Sequence, residues 1–482
     1  MTTNEYKLSY TAQEIDKKLG KVDKLSEEID DLSVFVTPQM FGAKGDGNTD
    51  DTLAFQSAID NEKGLPVFIP NGLYIISQII LKDNLQLKGM SQENVVLKSN
   101  SDKTLIYGGD YDNNATGEDN PDVIGLKHCE LIGFTVDGNK TAKNGIAIYG
   151  VNNVMKDITA KNCSGIGIVT ESPGGIYSTD YNLQYTMMNI TAFDNGIGNI
   201  YYNGQSDSNI FNVLCYRPDS TLEDSFNFKL GSKANGCRIF GLHVWGTSDY
   251  GIYNEGLRAY YTNCHAETGE IAQVYSNKPF AFDGNVYLNN IDNESVGFLL
   301  DNAHSSYINA RCNRIKTQIK YVGSCSRNNI TLMCHNGTNA EAKIIDGEFS
   351  ETDTVNITLW GVVTDTIVQF PTFKSCNDIT EFYSAKTTKF YNEGSGTPLF
   401  ALEGQDNGVN YISIMNQPAG TIGGKIVARG SSGNLDIQFV PKGEGKVRFG
   451  DYVEQGSMVQ RGYMIVKDSN GIERKLAVVF DS

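Results

Sequence analysis

Residues 144–169 read NGIAIYGVNNVMKDITAKNCSGIGIV, and two phrases inside this stretch recur down the chain. The first is a small or polar opener followed by alternating apolar residues. It returns as Asn144-Gly-Ile-Ala-Ile, Ser164-Gly-Ile-Gly-Ile, Asn195-Gly-Ile-Gly-Asn-Ile, Asp224-Ser-Phe-Asn-Phe, Asp249-Tyr-Gly-Ile-Tyr, Glu270-Ile-Ala-Gln-Val and Ser295-Val-Gly-Phe-Leu. The second returns as Asp157-Ile-Thr-Ala, Asn189-Ile-Thr-Ala, Asn212-Val-Leu-Cys, Gly241-Leu-His-Val, Asn263-Cys-His-Ala and Asn290-Ile-Asp-Asn. A period of roughly 20–31 residues, sustained from about 125 to 390, is the signature of a solenoid. Side chains alternate across a strand, so Ile158, Ile190, Val213, Leu242, Cys264 and Ile291 are expected inward. Thr159, Thr191, Leu214, His243, His265 and Asp292 are expected outward.

Composition agrees with that reading. The 482 residues include 50 Gly and 46 Asn, the residues that tolerate left-handed backbone and tight turns. Asn at successive corners can hydrogen-bond along a stack of rungs, which accounts for its abundance without any chemistry. The net charge of −17 and the lack of a basic stripe exclude a nucleic-acid binder. Nine cysteines are scattered singly with no zinc-ligand spacing, so they read as small buried hydrophobes and no metal site is expected. No cofactor is expected. The N-terminus has no apolar signal region and no run of 18 apolar residues occurs, so neither secretion by signal peptide nor membrane insertion is expected.

Outside the repeat, Ile15, Leu19, Val22, Leu25, Ile29 and Leu32 recur at three and four residues, predicting a helix over 12–33. Asp50 or Asp51 is placed to cap a short helix carrying Leu53, Ala54, Phe55, Ala58 and Ile59. Asp46, Asp50 and Asp51 are expected in capping and turn roles. Residues 392–398 (NEGSGTP) form a Gly-rich break, and Asn470-Gly471 signals a hairpin near the end.

The phrase FGAKGDGNTDDT (41–52), followed by FIPNGLY (68–74), resembles the opening of the pectate-lyase-like superfamily. That resemblance implies an all-β fold: a right-handed single-stranded parallel β-helix with a short N-terminal helical segment. The C-terminal stretches 424–450 and 462–480 resemble the ends of phage tail fibres and tailspikes. The opening YKLSYTAQEIDKKLGKVDKL (6–25) resembles virion-attachment ends of phage tail proteins from Gram-positive hosts. The implied organisation is an attachment segment (1–36), a capping segment with a short helix (37–100), the β-helix (101–392) and a C-terminal β-rich trimerisation or receptor domain (393–482). The implied protein is a homotrimeric tailspike, made in the host cytoplasm and carried on the virion tail. It would contact tail or baseplate proteins through its N-terminus and bind, and hydrolyse, a host capsular polysaccharide or wall teichoic acid. The Asp-Asp and Gly-His-Gly arrangement of polygalacturonases is missing, as is the calcium and Arg set of pectate lyases. No catalytic residue therefore transfers by position.

The repeat itself supplies candidates. The opener of the first phrase is acidic three times running, at Asp224, Asp249 and Glu270, and this alignment expects the three to stack about 4.8 Å apart along one edge. Paired carboxylates at such separations are what a general acid and general base need. Glu267 projects outward nearby, giving Asp224, Asp249, Glu267 and Glu270 as candidate catalytic residues. His243, Trp245, His265, Tyr216, Arg217, Tyr250 and Tyr253 are the candidate substrate-binding residues: flat rings for sugars, imidazoles for orientation and one guanidinium for an anionic substituent. A second reading is a tail fibre that adheres without cutting. A third is a lyase acting on uronic-acid polymers.

Overall fold

The computed structural model describes residues 12–32, 34–109, 125–171, 184–204, 206–218, 222–246, 248–267, 269–279, 282–289, 296–335, 343–347, 353–359, 367–368, 387–391, 398–403, 410–415, 425–430, 463–467 and 473–477. Within it the chain divides into two compact units, Met1–Asp406 and Asn407–Ser482.

The first unit is the expected solenoid. Its strands form a 15-stranded sheet and a facing 12-stranded one, and through the repeat successive strands go alternately to one and then the other. Pairing through both sheets is parallel, as in Val154–Lys161 against Thr186–Phe193 and Asn144–Val151 against Ile166–Glu171. Each rung thus donates one strand to each sheet, and neither strand has a buried face of its own until its neighbours stack.

Two inward columns make the core. In the larger sheet Ile158, Ile190, Val213 and Leu242 lie in register, all essentially solvent-free. In the facing sheet Ile146, Ile168, Ile200, Phe228, Ile252, Val274, Phe298 and Ile319 do the same. Each such side chain contributes about 1.5–3 kcal/mol by leaving water. The eight described cysteines, Cys129 to Cys334, are buried and form no disulfide, as expected of small hydrophobes. Burial pushes the Cys129 and Cys264 thiols up to about 12. Cys376 lies outside the described residues.

The asparagine ladder is present. Asp157, Asn189, Asn212 and Asn263 all have positive φ, between 50° and 55°, at one bend of successive rungs. Asn189 donates to Asp157 Oδ1 at 2.8 Å and Asn212 donates to Asn189 Oδ1 at 2.8 Å. Gly241 takes the same bend at φ 68° without a side chain, interrupting the ladder where only the backbone conformation is required. A second, buried ladder runs through Asn195, Asn199 and Asn227 to Ser248.

Two expectations need correction. The rung after Cys264 is not Ile291: Cys264 pairs with Val286 and His265 with Tyr287, and Asn285 accepts the Asn263 amide hydrogen at 2.7 Å. Ile291 and Asp292 lie outside the described residues. Asn144 stands level with Ile166, two residues beyond Ser164. As expected, Asp51 stands at the N-cap of the helix Thr52–Ile59 and Asp50 accepts the Thr52 amide hydrogen, while the Asp51 carboxylate accepts from the amides of Lys44 and Gly45 at 2.7 and 3.0 Å. Asp46 closes a turn by accepting from Asn48 and Thr49. The expected N-terminal helix forms over Ala12–Leu32.

In the second unit, Asn410–Met415 pairs antiparallel with Lys425–Gly430, and Tyr463–Lys467 with Glu473–Ala477. The latter pair brackets the Asn470-Gly471 signal, whose own residues lie outside those described.

Candidate functional site

The candidate residues gather along one edge of the solenoid, where strands of the larger sheet end and those of the facing sheet begin. The larger sheet sends up two outward columns. Phe193, Tyr216 and Trp245 stand in register at the strand ends. Their rings stack nearly parallel, Phe193 to Tyr216 at 4.7 Å and Tyr216 to Trp245 at 4.8 Å. Strand spacing in a parallel sheet fixes that separation, so identical outward positions in consecutive rungs build a continuous aromatic ladder. Trp245 keeps 37% of its surface exposed. Arg217 lies over the Tyr216 ring at 5.1 Å and pairs with Asp194 at 3.2 Å.

Two residues nearer the bend, His243 and His265 are in register and stack at 4.5 Å with planes 8° apart; Tyr287 follows at 4.7 Å from His265. Glu267 Oε1 stands 2.9 Å from His265 Nε2 and 3.6 Å from His243 Nε2. Burial pulls the His265 pKa below its ordinary value, against the opposing effect of the Glu267 charge. The oxygen and two nitrogens lie within 4.8 Å of one another, an arrangement able to hold a cation that the sequence reading did not anticipate.

The facing sheet carries the other half. Asp224 does not join the expected column: the register pairs Phe226 with Tyr250, which puts Asp224 one residue short of Asp249. Ser248 pairs with Gly269 and Tyr250 with Ala272, so a bulge sets Asp249 opposite Glu270 and Ile271. Ser225 rather than Asp224 faces Asp249: the Ser225 amide donates to Asp249 Oδ2 at 3.1 Å and the Asp249 amide donates to Ser225 Oγ at 2.9 Å. Asp224 is exposed on a left-handed bend at φ 58°, and Glu270 is exposed at the start of its strand.

A different constellation takes its place. Tyr250, Tyr253 and Tyr275 lie in mutual ring contact at 4.6–5.2 Å. Lys229 Nζ sits 4.0 Å over the Tyr253 ring and 3.3 Å from Glu255. The Tyr275 hydroxyl donates to Asp301 Oδ2 at 2.8 Å. Burial, followed by the charges of Asp224, Asp249 and Asp301, raises the Tyr250 pKa, so one phenol senses three carboxylates. Tyr253 is pushed up to about 12, first by burial and then by Glu255.

Sequence reading missed Phe193, Tyr275, Tyr287 and Asp301. A signal existed for two of them. Phe193, Tyr216 and Trp245 each fall four residues after a ladder position (Asn189, Asn212, Gly241), and Tyr287 falls two after Asn285, as His265 does after Asn263. Asp301 carried no comparable mark.

Residues 35–126 match the family model described as rhamnogalacturonase A/epimerase, pectate lyase-like. The chain folds as a parallel β-helix. The pre-neck appendage protein of Bacillus phage phi29 is 33% identical to this β-helix protein over 165 residues, covering 30% of this chain and 18% of that one. A capsule KN3-specific depolymerase of Klebsiella phage KN3-1 is 23% identical over 320 residues, covering 60% and 36%. This chain therefore spans well under half the length of either relative. The crystal structure of an N-terminal fragment of phage phi29 gene product 12 aligns at 19% identity and TM-score 0.45, covering 73% of this chain and 68% of that one.

Proposed function

We propose that this β-helix is a bacteriophage tailspike that binds and hydrolyses a glycan of the host surface, either capsular polysaccharide or wall teichoic acid. The observation that carries the reading is the Tyr250–Tyr253–Tyr275 ring cluster, with Asp301 accepting from the Tyr275 hydroxyl, together with the Phe193–Tyr216–Trp245 ladder. Aromatic faces and edges spaced at one strand per ring suit a chain of sugars lying along the solenoid axis. Carboxylates at its side suit acid-base cleavage, one acid protonating the glycosidic oxygen while a second carboxylate activates water or attacks the sugar. Asp224 and Asp249 lie one strand and one residue apart, roughly 6 Å between Cα atoms from ordinary sheet spacings, which admits such a pair. Asp301, held by Tyr275, is the third acid within reach, and Glu270 remains a candidate on the same edge.

Relatives named as a phage appendage and as a capsule depolymerase support this reading over adhesion without cleavage. A net charge of −17 repels polyanions at long range and favours a neutral or zwitterionic glycan. We assign assembly as a homotrimer, with the N-terminal helix directed to the tail and the C-terminal unit to trimerisation or receptor contact. The test is gel filtration of host surface polymers after incubation with purified protein. A shift to low molecular weight is expected with the wild type and none with Asp249→Asn. Polymers left at full size by a protein that still binds cells would replace hydrolysis with adhesion, and products bearing an unsaturated uronic acid would replace it with lyase chemistry.

A further inference from the structure

We propose that His243, His265 and Glu267 form a binding site for one divalent transition-metal ion of the zinc class. Among the described residues, they are the one group of three or more His, Cys, Asp or Glu donors placed to share an ion. The fold assembles them economically: His265 and Glu267 are two apart on one strand and so share a face, and His243 is the in-register neighbour of His265 on the next rung. Both Nε2 atoms are shut off from solvent and make no hydrogen bond of acceptable direction, although Glu267 Oε1 stands only 2.9 and 3.6 Å away. Two buried ring nitrogens aimed at one carboxylate oxygen have paid desolvation without directed partners. A single His–Glu ion pair would satisfy one of them; a cation among the three satisfies both and neutralises the carboxylate.

The donor set selects the metal. Two imidazoles with one carboxylate are characteristic of zinc and its first-row neighbours, with a remaining position open to water or ligand, whereas calcium and magnesium take oxygen shells. Zinc–nitrogen bonds of about 2.0–2.1 Å put tetrahedral donors roughly 3.4 Å apart. The present atoms lie within 4.8 Å of one another, so the widest pair needs to close by at most about 1.4 Å, a distance on the scale of side-chain rotations. Tyr287 packs on His265 at 4.7 Å and borders the donor set. The inference stands apart from the depolymerase reading, because Asp224, Asp249 and Asp301 take no part in it.

The test uses the full chain, stripped with a chelator, freed of it and titrated with cobalt(II). The expected result is a visible ligand-field absorption that saturates at one equivalent per chain and disappears when zinc(II) is added. Glu267→Gln and His243→Asn should each weaken binding at least tenfold, with far-ultraviolet circular dichroism unchanged. The double variant His243→Phe/His265→Phe should abolish it. No saturable absorption and no zinc heat by calorimetry in the wild type would overturn the site, as would stoichiometric binding that survives all of these substitutions.

Discussion

Asn212 donates from Nδ2 to Oδ1 of Asn189 across one rung, at 2.8 Å, and both residues hold left-handed backbone at φ 50° and 55°. Each Asn here does two jobs, supplying the bend and bonding along the stack. Asn212→Gly keeps the bend and loses only a solvent-exposed bond, a cost under about 1 kcal/mol. Asn212→Ala also forces an alanine into the left-handed region, adding about 1–2 kcal/mol. Urea unfolding of the two variants should therefore rank Gly above Ala, the reverse of their order inside ordinary strands.

That ladder is also why so much of the fold was legible. Asn189, Asn212 and Asn263 punctuate the chain, and the apolar residue after each falls in the core. The errors arose where local pattern was degenerate. Asn285-Val-Tyr-Leu and Asn290-Ile-Asp-Asn both start with Asn and an apolar residue, but only the first keeps an apolar residue at its fourth position, Leu288, and it is the first that pairs with the Cys264 rung. In the facing sheet, Gly-Ile-x-Ile phrases fit equally well after a two-residue slip, because a strand shifted by two keeps its buried face. The one-residue offset of Asp224 from Asp249 was invisible because Asp224 sits on a left-handed bend ahead of its strand, and the bulge opposite Asp249 leaves no mark in the sequence. The site was thus legible as a neighbourhood of side chains; its grouping depended on register.

The ladder ring Trp245 is exposed enough to meet ligand and is stacked on Tyr216. Trp245→Ala removes one platform of the proposed glycan track and should raise the Kd for host polymer by roughly 2- to 13-fold, corresponding to about 0.5–1.5 kcal/mol of stacking. Equilibrium binding to size-fractionated polymer measures it, and unchanged affinity would remove the ladder from the binding surface.

Tyr253, with its pKa pushed up to about 12 by burial and then Glu255, gives a pH prediction with a definite sign. An unfolded tyrosine releases its proton near pH 10. Between about 10 and 12 the unfolded chain has lost this proton while the folded chain retains it, so folded stability falls as pH rises through that window. Tyr253→Phe should flatten the fall, and tyrosinate absorbance of the folded protein should lose a component titrating near 12.

Asp301 accepts from Tyr275 at 2.8 Å, and its charge acts on Tyr250 and Tyr253. Asp301→Asn keeps the shape and removes the charge. If Asp301 serves the proposed chemistry, kcat should fall at least 100-fold while binding of intact glycan changes little, in line with the usual 10²–10⁴-fold contribution of a general acid or base.

The most direct test of the central claim is the rate at which the purified chain releases new reducing ends from host capsule or wall polymer, compared with Asp249→Asn at equal concentration. Acid-base hydrolysis at the tyrosine–carboxylate edge predicts steady release by the wild type and a rate at least 100-fold lower for the variant, with its fold intact. Equal rates for the two proteins would contradict it.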